Sequence, residues 1–170
     1  QVQEVLYDAL ADENPEVEAW ATKQLRSQQL PDTFPQLLKR LSASNDVVRE
    51  AARCELADFD LEKLYGLLPK MPKSTALKCA DVLLKVNPNA PQELREEMLH
   101  AFRWKRMRGA RATAALGLVD ELLETIGQLA GDEDASVRKS AIEALADSHS
   151  AQAIPLVEMC LQDPNRKDRK

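Results

Sequence analysis

The chain has 170 residues, of which 44% are hydrophobic and 30% charged, with a formal net charge of −5 and a pI near 5.2. That balance fits a folded protein rather than a disordered one, and its acidity argues against a surface that follows a nucleic-acid backbone throughout, since such affinity comes from many Lys and Arg displacing counterions. Aromatic residues make up only 4% and there are five glycines, so helices packed through Ala and Leu are favoured over extended structure, while no apolar run is long enough to span a bilayer.

The chain opens at Gln1 without the basic-then-apolar order of a signal peptide, as expected of a processed chain or a piece of a larger protein. Cys54, Cys79 and Cys160 are too few and scattered for a disulfide framework, so a reducing compartment and a cytoplasmic location are expected, with an upstream signal or anchor left open. A helix is predicted over 2–11, where Val5, Leu6 and Leu10 would pack as the second half of a truncated hairpin. Beyond it a pattern recurs, a small apolar residue, then Ala four positions on, then Leu four further: Val17-Ala21-Leu25, Val48-Ala52-Leu56, Ala76-Ala80-Leu84, Ala110-Ala114-Leu118 and Val137-Ala141-Leu145. The starts lie 31, 28, 34 and 27 residues apart, a spacing that marks a repeat protein. The i, i+4, i+8 spacing places the three residues on one helix face.

These first helices are predicted near 15–27, 45–57, 73–86, 104–117 and 134–146. Each is followed by a second helix, near 32–42, 60–70, 91–102, 119–130 and 151–162. The second helices carry their own stripe: Phe34-Leu37-Leu38-Leu41, Leu64-Leu67-Leu68-Met71, Leu94-Met98-Ala101 and Ile154-Val157-Leu161. Asn14-Pro15, Ser44-Asn45-Asp46 and Asp132 to Ser136 read as helix-opening loops, with Asn or Asp as N-cap. Residues 1–163 are expected to form a single repeat domain, and 164–170, charged and without apolar residues apart from proline, a disordered tail.

The run Asp132-Glu133-Asp134-Ala135-Ser136-Val137-Arg138-Lys139-Ser140-Ala141-Ile142-Glu143-Ala144-Leu145, followed by Ile154-Pro155-Leu156-Val157, resembles a HEAT repeat, in particular the short phycobilisome-lyase-like subtype. Asn45 to Ala52 fits the same pattern, and the hairpins starting near Ala76 and Ala110 fit it in their apolar positions. The resemblance implies an all-α fold, a right-handed α-solenoid of about five HEAT-like hairpins plus the N-terminal helix. It also implies a ladder in which an Arg after the small apolar position binds an acidic loop residue of the neighbouring repeat. Arg49, Arg111 and Arg138 match it, whereas Glu18 and Leu77 interrupt it.

The sharpest chemical signal is Arg103-Trp104-Lys105-Arg106-Met107-Arg108-Gly109-Ala110-Arg111, with five positive charges in nine residues of an acidic protein. Arg103, Trp104, Arg106, Arg108 and Arg111 form a candidate binding site for an acidic or phosphorylated protein or peptide, because Trp and Arg dominate binding hot spots. The alternative is a solvated face neutralised by Glu93, Glu96 and Glu97, with Trp104 covering the core. Second helices near 60–70, 91–102 and 119–130 are expected to line a groove with Trp104 at its rim.

Other chemistry finds little support. Two histidines, His100 and His149, and three scattered cysteines offer no metal-ligand spacing, so neither a metal nor another cofactor is expected. Asp147-Ser148-His149 reads as a polar turn rather than a nucleophilic triad. Trp20, Tyr65, Trp104 and Tyr7 are spread over several repeats, which weakens a tetrapyrrole-lyase reading. The sequence therefore points to a non-enzymatic protein- or peptide-binding scaffold. An accessory or lyase-type enzyme domain, or a nucleic-acid-binding protein using 103–111, are the alternatives.

Overall fold

A computed structural model describes residues 2–28, 30 and 32–162, with side chains as far as 158. The expected tail at 164–170 and the packing expected of Cys160 and Leu161 lie outside the described residues. The helices are α1 (Val2–Leu10), α2 (Pro15–Gln24), α3 (Thr33–Arg40), α4 (Asp46–Glu55), α5 (Leu61–Leu67), α6 (Lys73–Val86), α7 (Ala90–Met98), α8 (Arg103–Ala115), α9 (Leu123–Leu129), α10 (Ala135–Leu145) and α11 (Ala153–Gln162). A single 3-10 turn, Leu68–Lys70, follows α5, and no strand occurs among the described residues.

Two compact units divide the chain. One holds the residues up to Leu64 with Asp81–Pro88, the other Tyr65–Ala80 and the residues from Asn89 on. In the first unit α1 packs on α2, and α4 packs on both α2 and α3. Its core gathers Leu6, Leu10, Ala21, Leu25, Leu37, Leu41, Ala52 and Leu56, with Val82 and Val86 against it. In the second unit first helices stack on first helices, α8 on α10, and second helices on second, α7 on α9 and α9 on α11. This like-on-like stacking lets a repeat bury an apolar stripe that one hairpin alone would leave wet.

Helix starts follow from local hydrogen bonding. The Asn14 side chain accepts the Glu16 N–H at 3.0 Å, Asn45 accepts that of Val47 at 2.9 Å, and Asp134 accepts that of Ser136 at 2.8 Å. Each satisfies a donor that the first helical turn leaves open.

Seven positions after these caps stand Ala21, Ala52 and Ala141, all fully buried. In the fourth hairpin the opening residue is Phe102, and the equivalent position is Gly109. The expected register Ala110-Ala114-Leu118 is corrected accordingly: Gly109, Ala110, Ala112, Thr113 and Leu116 are buried, while Ala114 is only half-buried. The cause is a close helix approach, since a Cβ on Gly109 would stand 2.8 Å from Met98 Cγ and 3.1 Å from the Met98 backbone nitrogen. Gly117, with φ of 71°, then ends α8: its N–H donates to the Ala114 carbonyl and that of Leu118 to Thr113. This is a Schellman-type stop, which favours glycine in the left-handed region and carries Leu118 out of the helix.

Two further expectations are adjusted. Leu83 rather than Leu84 is the fully buried leucine at this end of α6. Phe34, Leu67, Ala101 and Ile154 lie exposed, whereas Leu37 and Leu41, Leu64 and Leu68, and Leu94 and Met98 of the same stripes are buried.

Candidate functional site

The basic segment begins where an N-cap acid would be expected and has none. The side chain of Phe102 caps nothing; instead its own N–H donates to His100 Nδ1 at 3.1 Å. Positive side chains at a helix N-terminus oppose the dipole. The neighbouring repeat supplies the compensation. Arg106, 11% exposed, donates from Nε and Nη2 to the two Asp132 carboxylate oxygens at 2.7 and 2.9 Å, and from Nη1 to the carbonyls of His100 and Ala101. Those Asp132 bonds hold its guanidinium pKa above the ordinary value.

Arg106 thereby makes the inter-repeat rung that the family resemblance assigned to Arg111. Arg49 bridges the Ala43 and Ser44 carbonyls and Arg138 those of Asp132 and Glu133, the same turn positions that Arg106 reaches. At the equivalent position of the first hairpin Glu18 pairs instead with the buried Arg40 at 3.3 Å, and Arg40 donates to the Leu10 carbonyl at 2.7 Å. Charge is reversed there, yet a guanidinium still ties a helix end in place.

The remaining cations sort in the same way. Arg103 is mostly solvated and pairs with Asp134 at 3.0 Å, which lowers the Asp134 pKa together with the N–H bonds of its own helix start. Arg108 donates from Nε and Nη2 to Glu97 Oε1 at 2.7 and 2.6 Å, and Lys105 stands 4.0 Å from Glu97 Oε2. Arg111 differs: its Nε donates to Ser140 Oγ at 3.1 Å, and no carboxylate pairs with it among the described residues. Neutralisation thus comes from Glu97, as expected, and also from Asp132 and Asp134, which lie well downstream in the sequence.

Arg108 does more than pair with Glu97. Its guanidinium carbon lies 4.0 Å from the centroid of the Tyr65 ring and 5.0 Å from that of Trp104, so one cation stands against both aromatic rings. These residues wall a cleft of about 260 Å³ that continues along Leu68, Met107, Ala112 and Ala115 and has Arg111 among its lining residues. Trp104 is half exposed there, so it does not cover the core. Tyr65, Leu68 and Pro69 come from the predicted span near 60–70, but the opposite wall is α8 rather than 91–102 or 119–130.

The remaining sequence candidates resolve into local structure. The Ser148 hydroxyl donates to Asp120, whose carboxylate also accepts the N–H groups of His149 and Ser150, while Asp147 pairs with Lys73 at 2.7 Å. The Asp120 bonds fasten the turn after α10 to the loop before α9, and the Lys73 pair ties it to the start of α6. Trp20 and Tyr7 belong to the first unit, apart from the cleft. Cys54 and Cys79 are free thiols.

Residues 90–170, beginning at the first residue of α7, match the family model of HEAT repeats. That stretch is similar to HEAT repeats, and the fold class of the described residues is the all-α, α-solenoid one. HEAT repeats commonly serve as protein-interaction scaffolds and are typically non-enzymatic. No curated protein and no solved structure matches the chain. No helix among the described residues is long and apolar enough to cross a membrane.

Proposed function

We propose that this protein is a non-enzymatic scaffold that binds a protein or peptide partner through the face of α8. The observation that carries this reading is the wall formed by Tyr65, Arg108 and Trp104, held by Glu97 and opening on an apolar cleft. An exposed indole beside a fixed guanidinium is the composition of a binding hot spot, and its rigidity lowers the entropy lost on association. A volume of about 260 Å³ suits one large side chain better than a tetrapyrrole, since small-molecule sites run from roughly 300 to 1,000 Å³. Partner chemistry of acidic character fits the surplus positive charge at Arg111. A cytoplasmic setting suits the free thiols.

The test compares partners captured by wild type and by Trp104→Ala, with circular dichroism and Tm as folding controls. Partners lost by a variant that folds normally support the reading, whereas an unchanged partner list refutes a role for this face. A nucleic-acid role draws no support from the segment, because four of its five cations already face carboxylates. We expect no retardation of labelled duplex DNA at near-physiological salt.

A further inference from the structure

We infer that the α8 cleft is a peptide subsite that takes a bulky apolar side chain while Arg111 pairs with a neighbouring carboxylate of the same peptide. This deepens the scaffold reading above and rests on it. The cations of the basic segment are not alike in their partners. Arg103, Lys105, Arg106 and Arg108 all have carboxylate partners, and Arg106 and Arg108 are largely enclosed by theirs. Among the described residues, Arg111 is the one cation of the segment with no carboxylate partner. Ser140 takes only its Nε, so both terminal nitrogens lack a protein acceptor among the described residues. An exposed guanidinium with two donors available matches a carboxylate in bidentate geometry.

The same residue lines a cleft whose other walls are apolar or aromatic: Tyr65, Leu68, Trp104, Met107 and Ala112. An apolar hollow with one charge at its edge recognises an amphipathic feature, a large side chain followed by an acid. The small side chains of Ala112 and Ala115, one turn apart on α8, leave the room that a longer residue would fill. Glu97 removes Arg108 from competition for the ligand, so Arg108 acts as a positioning residue that fixes the Tyr65 and Trp104 rings. Phosphate recognition draws on clusters of arginines, and here the others are engaged, which favours a carboxylate over a phosphoryl group.

The test uses the full chain carrying Trp20→Phe, so that Trp104 alone reports by fluorescence. The probes are acetylated, amidated Gly-Ser peptides with Phe followed by Asp, and matched peptides in which Asp is replaced by Asn, phosphoserine or Lys. We expect the Phe-Asp peptide to shift Trp104 emission saturably, and Asn in place of Asp to weaken binding by about tenfold or more. Arg111→Gln should reproduce that loss in the protein, and Ala115→Leu should block the cleft while leaving Tm unchanged. Arg103→Gln, on a cation outside the cleft, should bind as wild type does. Equal affinity for the Asp and Asn peptides, a preference for phosphoserine or Lys, or unaltered binding by Arg111→Gln would each overturn the inference. If no peptide binds although Trp104→Ala still loses its captured partners, the peptide chemistry is wrong and the scaffold reading stands.

Discussion

Gly109 is the residue at which the fourth hairpin departs from its neighbours. In an exposed helix, Gly→Ala gains about 1 kcal/mol from propensity alone. Here the new methyl would meet Met98, fully buried and so unable to swing aside, at 2.8 Å from Cγ and 3.1 Å from its backbone nitrogen. Overpacking of that kind costs about 1–3 kcal/mol, so Gly109→Ala is expected to lower Tm, opposite to the propensity trend. Thermal unfolding followed by circular dichroism checks the sign, and a raised Tm would contradict the close approach of α7 and α8. Ala52, fully buried in the first-unit core, obeys the same rule: Ala52→Phe is expected to destabilise by roughly 1–3 kcal/mol in urea unfolding.

The loop before α10 illustrates how elements, rather than residues, share the electrostatic load. Asp132 accepts two bonds from Arg106 of α8 and the N–H of Asp134 at 2.9 Å, so one carboxylate joins two hairpins and opens a helix. Asp132→Ala leaves the largely enclosed Arg106 without its acid and is expected to cost about 1.5–3 kcal/mol. Arg103→Ala, which breaks the solvated pair with Asp134, should stay within about 0.5 kcal/mol. Urea unfolding of the two variants side by side distinguishes them, and equal losses would contradict the division drawn between enclosed and exposed pairs. Sequence spacing predicted the helices well, with α6 matching its predicted span at both ends. It misplaced the fourth hairpin because Ala110, Ala114 and Leu118 imitate the packing pattern, whereas counting four residues on from the turn would have found Arg106 in line with Arg49 and Arg138.

For the molecule as a whole, the paired aspartates set the response to acid. The Asp120 pKa is lowered by the Ser148 hydroxyl and by backbone N–H groups, and that of Asp134 by Arg103 and its own N-cap bonds. A carboxylate with a folded-state pKa below its unfolded value contributes stability that is present above the unfolded value, near 3.8, and is lost as pH falls through the folded one. Tm is therefore expected to hold steady from neutral pH to about 5 and to decline below about 4. Asp120→Asn should make that decline shallower, and an unaltered profile would count against the Asp120 contribution.

Repetition, helix class and most helix limits follow from the sequence by itself, because periodic burial and Asn or Asp caps act over a few residues and leave their mark in spacing. The basic segment was also legible as the place where the repeats disagree. What the segment does with its charges depended on residues far away in the chain. Asp132 and Asp134 reach α8 only because α10 stacks on it, and Tyr65 meets Arg108 only through packing in the second unit. Net charge counted along the chain treats five cations alike. Among the described residues, their pairing in three dimensions leaves Arg111 as the one that lines the apolar cleft without an acid of its own, since Coulomb attraction depends on distance in space and not on order in sequence.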